Sequence, residues 1–155
     1  MTRKTDRELE TCHSDKEWYA IDKLGQLALF TTAGSAFVPD VYESGPAVYR
    51  KSIMHSEAIS TKCGYTFVAK RKAGLCYTDW IEAAGRGCYA YDYDAKSRIG
   101  FILIALPEIP IVLKECDNKW ISNLAEFEGA FGSEAMVIAG YDVLAWKLKG
   151  PKVSG

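Results

Sequence analysis

The pattern that most narrows the possible folds lies between Trp18 and Thr32. Two runs rich in β-forming residues, Trp18-Tyr19-Ala20-Ile21 and Gln26-Leu27-Ala28-Leu29-Phe30-Thr31-Thr32, are separated by Asp22-Lys23-Leu24-Gly25. Glycine at the end of such a turn reaches positive φ without a Cβ clash, and an aspartate at its start accepts hydrogen bonds from the turn backbone. The segment therefore predicts a β-hairpin. Ala33-Gly34-Ser35-Ala36-Phe37-Val38-Pro39 leaves it as a glycine-containing loop. A hairpin is marginal alone and must bury a face against further elements. With 155 residues, 48% apolar and 25% charged, the chain has the material for one core and the balance of a globular protein.

Downstream, the sequence alternates between helical and strand patterns. Pro46 suits the first turn of a helix, and Tyr49, Ile53, Met54, Glu57 and Ala58 give a partly amphipathic face to about Thr61. Gly64 to Ala69 predicts a short strand. Thr78 can cap a short helix over Asp79 to Ala84, stopped by Gly85 and Gly87. In Cys88 to Asp94, Tyr89, Tyr91 and Tyr93 alternate with Ala90, Asp92 and Asp94, the period of a half-exposed strand. Ile99 to Leu106 is apolar throughout, as in a strand covered on both faces, and Ile111-Val112-Leu113 resumes extended structure. Trp120, Leu124, Phe127 and Phe131 recur at helical spacing after a cap at Asp117 or Asn118. Ala135 to Ile138 and Tyr141 to Leu148 predict closing strands. The expected fold is α+β, a mostly antiparallel sheet with two or three packed helices in a single domain over 18–148. Residues 1–17, with nine charges and three apolar side chains, predict a charged flexible arm, and 149–155 a loose tail.

Several function classes find no support. The first residues show no signal-peptide core, and no apolar run approaches the roughly 20 residues of a membrane helix, so the expectation is a soluble cytoplasmic protein. The five cysteines, Cys12, Cys63, Cys76, Cys88 and Cys116, contain no C-x-x-C and read as reduced, mostly packed thiols. His13 and His55 stand 42 residues apart, without the spacing of a metal site. His55 with Cys63 or Cys76 lacks any local mark of a cysteine hydrolase, and no G-x-S-x-G occurs. Thr32-Ala33-Gly34-Ser35 and Gly85-Arg86-Gly87 lack a phosphate-loop signature and read as turns. Asp92 and Asp94, roughly 7 Å apart by strand rise, lack a third ligand or a sugar-binding motif. No catalytic residue, metal or cofactor is expected.

Charge layout is more informative than the net charge of −1. Residues 50–72 hold Arg50, Lys51, Lys62, Lys70, Arg71 and Lys72 against Glu57. Residues 115–142 hold Glu115, Asp117, Glu126, Glu128, Glu134 and Asp142 against Lys119. Such segregation suits a surface that selects a charged protein partner, whereas the near-zero total argues against nucleic acid or a membrane. Glu126, Glu134 and Asp142 are the candidate partner-binding residues, with Glu126 expected on the outward side of the last helix.

The opening Trp18-x-x-Ile21-Asp22-x-x-Gly25-x-x-Ala28-x-Phe30-x-Thr32-x-Gly34-x-x-x-Val38-Pro39 resembles small uncharacterised bacterial proteins of the immunity-protein type, over about 22 of 155 residues. The resemblance implies a small cytoplasmic α+β binder that inhibits a toxin by covering its active site, and it implies no catalytic residue. The expected function is a non-enzymatic protein-binding module. The alternative is a small enzyme or ligand-binding domain with a pocket lined by Tyr89, Tyr91, Asp92 and Tyr93. A homo-oligomer joined through an exposed strand such as Phe101 to Leu106 is a further option.

Overall fold

A computed structural model describes residues 16–56, 59–68, 77–114 and 118–150. The hairpin forms as expected from β1 (Glu17–Ile21) and β2 (Leu27–Thr31), antiparallel with Ile21 opposite Leu27. Asp22 is fully buried and organises the turn. Its Oδ1 accepts the N–H groups of Leu24 and Gln26, both at 2.9 Å. Gly25 has φ +82°, and a Cβ there would stand 2.9 Å from the Leu113 carbonyl oxygen, so strain and crowding both demand glycine.

After the hairpin come α1 (Asp40–Glu43), α2 (Pro46–Ser56), β3 (Tyr65–Phe67), α3 (Thr78–Gly85), β4 (Tyr89–Tyr93), β5 (Gly100–Pro107), α4 (Asn118–Ile121), β6 (Ala125–Glu126), β7 (Val137–Ala139) and α5 (Gly140–Leu144). The seven strands form one sheet in the order β3-β5-β4-β2-β1-β6, with β7 also paired to β5. Four pairings are antiparallel, and β1–β6 and β2–β4 are parallel, so the α+β sheet is mixed. Among the described residues there are five α-helices, three of them only one turn or slightly more, against the two or three expected. No described helix is long and apolar enough to cross a membrane.

Both faces of the sheet are buried. On one, Trp18, Phe30, Tyr91, Tyr93 and Phe101 pack with Phe37, Tyr42, Phe131 and Val143. Trp18 stacks on Phe30 at 4.1 Å between ring centroids, and Phe30 on Tyr91 at 5.0 Å. On the other face, Ile21, Leu27, Leu29 and Ala90 meet Ala83 and Ala84 of α3, Trp120 and Ile121 of α4, and Leu124. Tyr42 ties the layers to the sheet edge. Its hydroxyl donates to the Tyr19 carbonyl and accepts the Ala125 N–H at 2.9 Å, bridging β1 and β6 beside their two-residue parallel ladder.

Several expectations are corrected. Tyr89, Ala90, Tyr91 and Tyr93 are all buried, so β4 is a covered central strand and not a half-exposed one. β5 is equally internal. Beside β4, its other edge is shared by β3 at Ala105–Pro107 and β7 at Gly100–Ile102, which leaves no edge there for a second copy. Thr78 is the first residue of α3, and Tyr77 takes the cap position. The helix read over Trp120 to Phe131 is a single turn, α4, followed by β6 and a loop. Tyr141 to Leu148 is not a strand: α5 takes its first part and Leu148 makes one bridge to Ala125. The arm ends earlier than expected, since Lys16 N–H already bonds Thr32 Oγ1 at 2.9 Å, and Lys149 of the tail bonds the Leu124 carbonyl at 3.0 Å. Residues 1–15 and 151–155 lie outside the described residues. So do Cys12, His13, Glu57, Ala58, Lys70, Arg71, Lys72, Cys76, Glu115 and Asp117, and the side chain of His55.

Candidate functional site

The acidic segment folds back on itself, and this builds a concave surface. Asp22 starts the process. Its Oδ2 accepts the Phe131 N–H at 2.9 Å and the Gln26 side-chain amide at 2.8 Å. Phe127 N–H bonds the Ile21 carbonyl and Lys23 N–H the Gly129 carbonyl, so residues 127–131 are strapped to the hairpin. Gly132 has φ +106° and lies so close to Tyr89 that a Cβ would approach the ring at 3.0 Å. Its N–H bonds Tyr91 Oη at 3.0 Å, and that hydroxyl donates to the Ala135 carbonyl at 2.9 Å. A continuous helix would forfeit these contacts and place glycines at a cost in its interior. Phe127 and Phe131 still reach the core, stacked at 5.3 Å, but from a loop.

The result is a groove of about 680 Å³ between β6, the 133–139 segment and α5. Phe127 and Trp146, stacked at 5.2 Å, form its half-buried apolar floor. Glu126, Glu128, Glu134 and Asp142 stand around it, with Lys147 as the one cation of the lining. The candidate partner-binding residues Glu126, Glu134 and Asp142 are thus brought together, although not by the helix expected to carry them. Glu126 sits on β6, Glu134 lies within the 3-10 turn Ser133–Ala135, and Asp142 lies in the first turn of α5. Carboxylates at helix starts are favoured by the local dipole, so two of the positions suit their own backbone as well. Glu126 is paired with Lys149 Nζ at 3.0 Å, while no cation pairs with Glu128, Glu134 or Asp142 among the described residues.

A second cleft of about 440 Å³ adjoins on the far side of Glu126, lined by Lys23, Leu24, Lys114, Ile121 and Lys149. The Glu126–Lys149 pair therefore stands on the divide between an acidic groove and a basic one. The sequence reading missed this arrangement, and it also missed Phe127 and Trp146 as the half-buried floor of the groove. The tryptophan so close to a cluster of acids was the available signal.

The tyrosine and aspartate set is placed differently. Tyr89, Tyr91 and Tyr93 lie on the core face, packed against Phe131, Phe30, Phe37 and Phe101, and line neither cleft. Asp92 points to the other face, where Thr31 Oγ1 donates to it at 2.7 Å and the Trp80 indole donates to Thr31 at 2.9 Å. Asp94 lies beyond the strand and accepts Lys96 N–H at 3.1 Å, which makes it a turn residue and separates it from Asp92. Burial raises the Tyr91 phenol well above its usual range and pushes the Cys88 thiol up to about 12. A thiol so protected is a packing group and not a nucleophile. Cys63 is half-buried and free, with its Sγ 3.4 Å from the Ala84 carbonyl oxygen. No group of histidine, cysteine and carboxylates among the described residues could hold a metal ion. Compared with known proteins, the chain matches no family model, no curated sequence and no solved structure.

Proposed function

We propose that this chain is a non-enzymatic cytoplasmic protein-binding module whose docking surface is the acidic groove, and that it acts as immunity proteins do, by covering the active site of a toxin. The observation that carries the reading is convergence. Four carboxylates from β6, the following loop, the 3-10 turn and α5 meet around the stacked rings of Phe127 and Trp146. An aromatic floor with a charged rim is the anatomy of a protein interface, where buried rings supply affinity and rim charges select the partner and speed its approach. The partner face that fits is a basic segment with an apolar residue at its centre. The carboxylates of the rim also suit a toxin whose active site is positively charged. The reading of a tyrosine-lined ligand pocket has less to support it, because those rings are occupied by packing.

The experiment is affinity capture of partners from the source cells with the purified chain, repeated with Glu134→Lys/Asp142→Lys. Both residues are exposed, so the fold should survive, at a cost of about 1–2 kcal/mol from the two helix starts. Capture of a basic protein by the parent chain, lost on charge reversal and weakened by salt, is the expected result. A partner retained equally by the reversed variant would remove the groove from the interface.

A further inference from the structure

We propose that the partner enters the acidic groove as an extended strand and pairs with the open edge of β7. The inference rests on reading the groove as a protein-docking surface, and adds how the partner is held. β7 runs antiparallel to β5 with Ile138 opposite Phe101. Leu103 N–H bonds the Met136 carbonyl at 2.9 Å, and Gly140 N–H bonds the Ile99 carbonyl at 3.4 Å. Hydrogen-bonded and non-bonded pairs alternate along an antiparallel ladder. Met136, Ile138 and Gly140 therefore belong to the pairs bonded to β5, and the backbone groups of Val137 and Ala139 point the other way.

The pleat sharpens the point. Ile138 faces the core with Phe101, so the side chains of Val137 and Ala139 project to the opposite face of the sheet. Both residues nevertheless line the groove beside Phe127 and Trp146, which are on the core face. What this strand can offer a docked segment is the set of backbone groups that turn away from β5. Val137 offers an N–H and a carbonyl, and Ala139 offers its N–H, while the Ala139 carbonyl starts α5. Val137-Ile138-Ala139 contains none of the lysines or prolines by which exposed edges are usually blunted. An added strand with lysine or arginine at alternate positions would meet the carboxylates of Glu128, Glu134 and Asp142 around the groove. A second copy paired through its own β7 edge would set one acidic groove against another, and the occupant that fits is a basic segment of another protein.

The test uses the full chain, isotope-labelled, with a synthetic peptide of alternating lysine and valine and a twin N-methylated on the amides of one edge. Ala139→Pro removes the outward N–H without disturbing the fold. Ala139 already has φ −60°, the proline value, and Ile138 before it is extended. The peptide should bind at about millimolar or better, lose affinity with salt, and slow amide exchange at Val137 and Ala139. Ala139→Pro and the methylated twin should each weaken binding by roughly tenfold. Binding unchanged by both overturns strand addition and leaves a groove for basic segments. No binding of the unmethylated peptide to the parent chain overturns both readings. A chain that is dimeric without peptide, and monomeric as Ala139→Pro, assigns the edge to a second copy and overturns the proposal.

Discussion

The hairpin and the 118–148 segment have similar apolar content but were built by different forces. In β1 and β2 every instruction is local. β-formers alternate, Asp22 satisfies the turn, and Gly25 takes the conformation no other residue takes cheaply. In the later segment, local preference favours one long helix through Trp120, Leu124, Phe127 and Phe131, and only one turn of it forms. Distant groups supply better partners. Tyr42 takes the Ala125 N–H, Asp22 takes the Phe131 N–H, and the Tyr91 hydroxyl takes the Gly132 N–H. The lesson is that a helical periodicity of apolar residues records which side chains are buried, and not the backbone that buries them.

Three measurements test this contrast. The largest effect should come from Trp120→Ala, at about 3–5 kcal/mol in urea unfolding. Trp120 is buried between α4, α2 and the sheet, and its indole donates to the Ser52 carbonyl at 3.1 Å. A loss under about 1 kcal/mol would mean the later segment folds without this anchor and the contrast is drawn in the wrong place.

Asp22→Asn should cost somewhat less, about 2–3 kcal/mol. The carboxylate accepts four hydrogen bonds, two on each oxygen, and an amide turns one oxygen into a donor facing donors. Amide exchange should quicken at Phe131 as well as at Leu24 and Gln26, because one side chain serves both regions. Acceleration confined to the turn would uncouple the loop from the hairpin.

The most gradual effect is expected from alkali. Burial raises the phenols of Tyr19, to about 12, and of Tyr42 and Tyr91, from an ordinary value of 10.0. Burial likewise raises the Cys88 thiol from 9.0 to about 12. The folded state holds these protons more tightly than the unfolded chain does. Their contribution is therefore whole below pH 9 and drains as the pH climbs toward 12. Tyr42 matters most, since its proton is the one donated to the Tyr19 carbonyl while the oxygen holds Ala125. Urea midpoints should fall steadily over that range, and a flat profile would show that these groups open to water before they ionise.

Legibility followed the range of the interactions. The hairpin and its turn, the buried strand over Ile99 to Leu106 and the helix beginning at Pro46 were readable because short-range patterning sets them. The acidic set Glu126, Glu134 and Asp142 was readable as charge, though its assembly into one groove was not. Tyr89, Tyr91 and Tyr93 misled for the opposite reason. Alternation with Asp92 suggests one wet face, whereas α3 and its neighbours cover the second face too, and Asp92 is accommodated by Thr31.

By itself the sequence determined the α+β class, the hairpin with its aspartate and glycine, and the segregation of charge, because each depends on residues near one another along the chain. Tertiary structure alone decided that the sheet is mixed, that β6 and β7 are separate strands, and that the acids surround Phe127 and Trp146. Parallel pairing and loop docking join groups that are remote in sequence. Asp22 and Phe131 are 109 residues apart, and no local pattern encodes which buried donor a distant carboxylate will find.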